Sequence, residues 1–571
     1  MGHLHKKIKK GRPYYYYREI ARVGGKPKVI NQVYLGTPER ILQLVTDTKA
    51  QCEKLSVKEF GSLWVISRID REIDLVSLVD SVIPQKGGKK GLSVGEYFLY
   101  AVFNRMIEPC SKSALASWYR GTAIEEIHPV SLGMLNAQRY WEKLKQVGER
   151  ELEKIASLVF EKISRVEKSG SECFLFDTTN YYTYMATHTE SELAKRGKNK
   201  DGKNWLRQVG VAVLVSRDNR LPFFYKAYEG NRHDAKVFKR FIKEIFSVIE
   251  RFGKKDGEIT LVFDKGMNSE ENIAIIDAHP KLHFITSYSS HYMESLIRVK
   301  LSFFKPVNTP KNALPLEKGK EDDLLLAWRT TGEFWGRERT VVVTYNPRTA
   351  AKQRYHFDKD LLTLHQALCN LRGKVKTQKS YWTRQERIEK HFYALCEQLH
   401  VPKDLYEFSV EKKNGRWTLV FRKNYYRIGR YMERFGKTII VTDHKDWTTD
   451  QIVRASIDRY IVENAFRQSK DDDLISVRPF GHWTDRMIRC HIFTCIVALA
   501  YLRILEIRLH RAGIGISAMT AIKEMRRLHS CLVWNAGSSK PQRVIEEPSP
   551  LQAQILKTFG YRIVRGVLQK L

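Results

Sequence analysis

The spacing of apolar positions changes character several times along the chain. In "LSVGEYFLYAVFNRMI" and "ERELEKIASLVFEKISRV" apolar residues recur at three- and four-residue intervals, which predicts helices through about residues 65 to 168. The period then shortens. "CFLFDTT", "RQVGVAVLVS" and "LPFFYKAY" read as strands, the last two joined by the tight turn "RDNR". A helix in "DAKVFKRFIKEIFSVIERF" follows, then the strand "EITLVFD", a helix in "SEENIAIIDAH" and the strand "HFITSY". Strands interleaved with helices in this order predict an α/β fold with a mixed sheet flanked by helices.

From about 290 to 450 the pattern is different. Strands are expected in "DLLLAWRTT" and "WGRERTVVVTY", helices in "LLTLHQALCNL" and "RQERIEKHFYALCEQL", and a hairpin about Asn414-Gly415 in "YEFSVEKKNGRWTLVFRK". Helical periodicity resumes in "TTDQIVRASIDRYIVENAFRQSK" and in the more apolar "DRMIRCHIFTCIVALAYLRILEIRL". At the other end, "RPYYYYREIARVGGKPKVINQVYLG" reads as two strands about Gly24-Gly25, and Thr37-Pro38-Glu39 has the form of a helix start. These shifts suggest a basic N-terminal hairpin and helix (1–60), a helical domain (61–168) and a first core part (169–290). A β-rich inserted domain (291–445), a second core part (446–535) and a loop-rich tail (536–571) would follow.

A chain of 571 residues exceeds what one hydrophobic core organises. Its 98 Lys and Arg against 64 Asp and Glu give a net charge of +34, which points to a polyanionic partner. Residues 1–40 hold ten of those cations against two glutamates. Double-stranded DNA is therefore the expected partner rather than a membrane. The most apolar run, Ile492 to Leu502, is too short to span a bilayer. The basic N-terminus has no apolar stretch of signal-peptide type behind it, and the eight cysteines form no disulfide framework, so a cytoplasmic protein is expected. Cys490 and Cys495 lie near His482 and His491, but their spacing matches no standard zinc pattern.

Two apolar runs end on an acid: "FLFD" at Asp177 and "TLVFD" at Asp264. A strand-end acid is commonly no more than a solvated turn residue. Two of them on adjacent strands, however, would repel unless a cation lay between them, and that repulsion points to a divalent metal. Glu463 is the candidate third ligand. It is flanked by Arg459, Arg467 and Lys470 at helical spacing, a face that could equally be a solvated one with i,i+4 ion pairs.

With these residues in place the chain resembles a DDE transposase of the bacterial insertion-sequence type, with a ribonuclease H-like core. In that family the first Asp ends the first strand, the second follows the fourth, and the Glu lies on a helix after an inserted domain. One branch carries a signature of Tyr, Arg, Glu and Lys. Arg459, Glu463 and Lys470 match its spacing, with Ser456 at the Tyr position. "GKNKDGKNWLRQVGVAVLV" and "EGNRHDAKVF" are also similar to this branch.

The resemblance implies two Mg²⁺ ions, with Mn²⁺ as a substitute, on Asp177, Asp264 and Glu463. It implies cleavage of transposon ends and their joining to target DNA, by a homodimer holding both ends. Arg459, Arg467 and Lys470 would contact phosphates; Tyr460, Trp328, Trp335 or Trp417 could hold a flipped base. Asn231 and Asp234 read as caps of the helix that follows. A ribonuclease H-like nuclease without strand transfer, and a DNA-binding derivative that has lost catalysis, are the alternatives.

Overall fold

The N-terminal alternation folds into an antiparallel sheet of β1 (Gly2–Lys9), β2 (Arg12–Val23) and β3 (Lys26–Gly36). The structure is a computed structural model that describes residues 2–9, 12–23, 26–38, 41–42, 52–85, 91–168, 171–185, 189–199, 202–253, 257–290, 293–413, 415–470, 475–477, 481–535 and 540–571. The expected turn residues Gly24-Gly25 and Asn414, and Glu39 of the expected helix start, lie outside them. The chain divides into two compact units, Met1–Lys255 with Tyr460–Leu571, and Asp256–Arg459.

The first unit is mainly helical around a small antiparallel sheet. Glu149–Glu167 buries Leu152, Ile155, Val159, Phe160 and Ile163, one stripe at three- and four-residue spacing, and ends where Lys168 turns left-handed. Val94–Ile107 is started by a capping box between Ser93 and Glu96. The strands of this sheet are β5 (Cys173–Thr183), β6 (Lys195–Arg196), β7 (Arg207–Ser216) and β8 (Pro222–Glu229), while β4 (Cys52–Glu59) belongs to another sheet. β7 is central, paired antiparallel with β5 on one side and with β8 and the short β6 on the other. Its ten residues are buried apart from Arg207, which is why it reads as a continuous apolar run.

The second unit is built on β9 (Ile259–Phe263), β10 (Leu282–Tyr288), β11 (Lys305–Pro306), β12 (Leu326–Phe334), β13 (Arg337–Tyr345) and β16 (Lys437–Thr442). Their order is β11-β12-β13-β16-β10-β9, with β9 and β10 parallel and the other pairs antiparallel. Two strands expected in a separate inserted domain, β12 and β13, thus extend the sheet that carries β9.

What lies between them and β16 is more helical than β-rich. The helices Pro347–Lys376, Gln385–Gln398 and Tyr425–Met432 accompany one hairpin of β14 (Tyr406–Lys413) and β15 (Arg416–Lys423). These elements share a core of their own, in which Leu364, Leu368 and Leu371 of the long helix meet Ile388, Phe392 and Leu419.

The C-terminal residues return to the first unit. Thr484 caps Asp485–Arg511, which is buried along most of its length. It extends well beyond Ile492–Leu502. Among the described residues it is the one helix long and apolar enough to cross a membrane, and 89% of its most apolar 18-residue window is buried inside the protein. A core helix of a folded unit has that composition. The tail expected to be loop-rich instead forms β17 (His529–Asn535), β18 (Gln542–Ile545), the helix Pro550–Thr558, and the hairpin β19 (Tyr561–Val564) with β20 (Val567–Lys570). β17 pairs with β4, so the tail closes a sheet with the N-terminal region.

Candidate catalytic carboxylates

Asp264 stands where the pattern predicted, at the carboxyl end of β9, whose five residues are all buried. Its extended backbone (φ −78°, ψ 157°) opens a short 3₁₀ turn, Lys265–Met267. Asn272 donates to the Met267 carbonyl at 2.7 Å and Asn268 to the Ser287 carbonyl at 2.9 Å, which fixes that turn against β10. The Asp264 carboxylate receives the Arg459 guanidinium through Nη1 and the Ser287 hydroxyl at 3.4 Å. Burial by itself would raise its pKa. The Arg459 charge and hydrogen bond, with the Lys265 backbone N–H and charge, outweigh that and hold it below the ordinary carboxylate range. Arg459, expected on a DNA-facing helix surface, is thus the partner of the acid 195 positions earlier.

The helix expected to run unbroken through Glu463 is two helices. Thr449–Asp458 ends with Arg459 as its C-cap, and Tyr460–Ser469 begins directly after it. Ser456 is half-buried on the first of these.

Asp177 departs from expectation. It does not end its strand: β5 runs on to Thr183, and Asp177 lies in its middle, opposite Val213 of β7. Thr178, Thr179, Tyr181 and Tyr182 explain this, because β-branched and aromatic residues suit a half-buried pleated surface and continue the strand. The half-buried Asp177 carboxylate accepts the Thr178 backbone N–H at 2.8 Å. Thr178, on the other face of the strand, donates its hydroxyl to Asp234 at 2.7 Å. Asp234 therefore ties the start of the helix Asp234–Phe252 to β5; the N-cap position is held by His233 without a side-chain bond. The buried Tyr228 phenol has its pKa pushed up, first by burial and then by the nearby Asp234.

Alternation along β5 puts Asp177, Thr179 and Tyr181 on one face. The helix Tyr460–Ser469 packs on β5. Its last residue, Ser469, shares a 2.6 Å hydrogen bond with the Tyr181 hydroxyl, and Lys470 sets its ammonium 5.6 Å from the Tyr181 ring centroid. Glu463 lies in the first turn of that helix and is exposed, as are Tyr460 and Arg467, while Lys470 is half-buried. Arg467 donates to Asn464 at 2.7 Å.

The tryptophans expected to hold a base are packed. Trp335 occupies the two-residue turn between β12 and β13 with a left-handed backbone (φ 51°), and Gly336 follows it at φ 69°. Its ring lies 5.7 to 5.9 Å from those of Phe284, Tyr288 and Phe334. Trp328 lies 6.4 Å from Phe304 in the same cluster. Trp417 packs on the core beside the hairpin, and its backbone N–H donates to Gln378 at 3.1 Å.

Carboxylates are the donors that hard divalent ions take, so Asp177, Asp264 and Glu463 suit Mg²⁺ in kind. Among the described residues no three His, Cys, Asp or Glu side chains are gathered as a metal-holding group, and a guanidinium lies against Asp264. Cys490, Cys495 and His491 are core side chains, with Cys495 Sγ 3.7 Å from His491 Nε2.

Sequence reasoning missed Ser287, Thr178 and the Asp234 link. A polar residue near the end of an apolar strand, as in "HFITSY", was the available signal for the first.

No protein-family model and no curated protein matches this chain by sequence. Among solved structures, the chain is similar to the piggyBac transposase in a synaptic complex with hairpin DNA. The TM-score is 0.39 at 8% identity, covering 83% of this chain and 82% of that one.

Proposed function

We propose that the chain is a DDE-type DNA transposase with a ribonuclease H-like core, which cleaves the ends of a mobile element and joins them to target DNA. Asp177, Asp264 and Glu463 are its catalytic carboxylates. One observation carries this reading: the Asp264 carboxylate, held ionised at the end of a buried strand, is bound by Arg459, four residues before Glu463. The Arg of a motif recognised by spacing thereby meets the acid it would serve.

Asp264 and Asp177 supply anionic oxygen at their strands, and Arg459 keeps Asp264 deprotonated when no metal is bound. Mg²⁺, or Mn²⁺ in its place, is the cofactor for these carboxylates and would supply activation of a water or 3′-hydroxyl and stabilisation of the leaving oxygen. Arg467, Lys470 and the exposed ring of Tyr460 form the DNA side of the Glu463 helix, where cations neutralise phosphates. Two copies would hold the two ends.

The test is cleavage and joining of a labelled duplex carrying the DNA that borders the coding sequence, with Mg²⁺ present. Wild type should nick the border and join pre-cut 3′-hydroxyl ends to a target plasmid. Asp264→Asn should lose both activities by at least about 10³-fold while binding the duplex as before. Cleavage without joining would turn the reading to a nuclease; full activity in Asp264→Asn would overturn it.

A further inference from the structure

The N-terminal sheet divides its side chains unequally between two faces. The register sets His3 opposite Arg18, His5 opposite Tyr16 and Lys7 opposite Tyr14; across the other edge of β2, Tyr16 faces Tyr34 and Arg18 faces Gln32. Arg12 shares this side by alternation along β2. The opposite face carries Leu4, Lys6, Ile8, Tyr17, Val33 and Glu19. Among the described residues of the three strands Glu19 is the one carboxylate, and it is engaged by the Tyr17 hydroxyl at 3.0 Å. One face is thus cationic and aromatic without an acid, with Ile20 and Val29 at its far end; the other holds Leu4, Ile8 and Val33, with Ile8 at 69% and Val33 at 47% exposure.

The groups on the cationic face are ordered by one another. Tyr16 and Tyr34 have ring centroids 5.1 Å apart, and Tyr14 lies 6.4 Å from Tyr34. The Lys7 ammonium sits 5.7 Å from the Tyr16 centroid. Arg18 donates through Nε to Gln32 Oε1 at 2.6 Å, which orients the planar guanidinium. Lys7, Arg12, Gln32 and Tyr34 are exposed.

We propose that this face, with Lys7, Arg12, Arg18 and Gln32, docks duplex DNA, seating two adjacent strands in the major groove. The occupant rests on the DNA reading given above; the surface is separate from the carboxylates. Adjacent strands lie about 4.8 Å apart, so a two-strand ribbon enters a groove roughly 12 Å wide. Cations fit the phosphate edges, and Arg and Gln are side chains that read base edges. An anionic membrane would call for aliphatic residues interleaved with the cations, whereas Leu4, Ile8 and Val33 lie on the other face and Val29 lies at the end of this one away from Lys7.

The experiment is fluorescence anisotropy of the full chain with a labelled duplex across a salt series, with circular dichroism as the folding control. Lys7→Ala with Arg18→Ala should weaken binding about 10- to 100-fold at low salt and reduce the slope of log K against log salt by about 2. Lys6→Ala, which removes a charge from the opposite face, should leave affinity within about twofold of wild type. Wild-type-like affinity and slope in the double variant would overturn the assignment while leaving the transposase reading intact. A loss no larger than that of Lys6→Ala, or a loss for anionic phosphatidylserine vesicles in place of duplex, would do the same. Failure of wild type to bind any duplex would remove both.

Discussion

Burial and the Arg459 guanidinium push the Asp264 carboxyl in opposite directions, and Arg459 together with Lys265 outweighs burial. A carboxyl held below its unfolded pKa is charged at all higher pH and loses that charge only as pH falls through the lowered value. Removing Arg459 leaves burial opposed by Lys265 alone, so the pKa rises. The acid limb of the cleavage rate in Arg459→Ala should therefore move to higher pH, measured on the border duplex. A limb at the wild-type position would show that Arg459 does not set this carboxyl.

Lys112 is the reverse case. Its ammonium is buried without a hydrogen-bond partner, 4.8 Å from the Tyr140 ring centroid, and burial lowers its pKa to about 7. Below pH 7 the folded state must hold a buried charge. That cost declines as pH rises from 7 toward the unfolded value near 10.5. Lys112→Met should raise thermal stability at pH 7 by on the order of 3 kcal/mol, with a smaller gain at pH 9, by calorimetry at both pH values.

At the scale of elements, strand β9 was legible because a short apolar run, fully buried, stops at an acid and a Lys-Gly pair, and both signals agree. Strand β5 was misread because Thr178, Thr179 and Asn180 resemble a turn in composition, while the pairing of Thr178 and Thr179 with β7 keeps them in the sheet. The break at Arg459 was not visible, since "SIDRYIVENAF" keeps a helical period across it and only the contact with Asp264 marks the position. The tail was misjudged for a similar reason. "NAGSSKPQ" reads as a loop, but the alternation in "HSCLVWN" before it is completed by β4, more than 470 positions earlier. Pairing partners that distant leave no local trace.

Trp335 belongs to this scale as well, as the corner of the β12–β13 hairpin. If its ring serves the packing seen around Phe284, Tyr288 and Phe334, Trp335→Ala should cost about 3 kcal/mol in denaturant unfolding. DNA affinity of the folded protein should stay unchanged. Lost affinity with unchanged stability would make it a DNA contact.

For the molecule as a whole, a charge of +34 sets the terms of any encounter with DNA but says nothing of chemistry. The chemical claim rests on three acids brought by distant parts of the chain: one in mid-strand, one at a strand end, one on an exposed helical turn. Groups that work as a single catalytic unit have a characteristic signature, in which losing any one costs nearly as much as losing all. The most direct test is the rate of Mg²⁺-dependent border cleavage by Asp177→Asn, Asp264→Asn, Glu463→Gln and the triple variant, each shown to bind the duplex. Every single variant is expected to fall to within about tenfold of the triple variant's floor. A Glu463→Gln enzyme that cleaves near the wild-type rate would contradict the account, because the motif would then have supplied a partner for Asp264 but no third carboxylate.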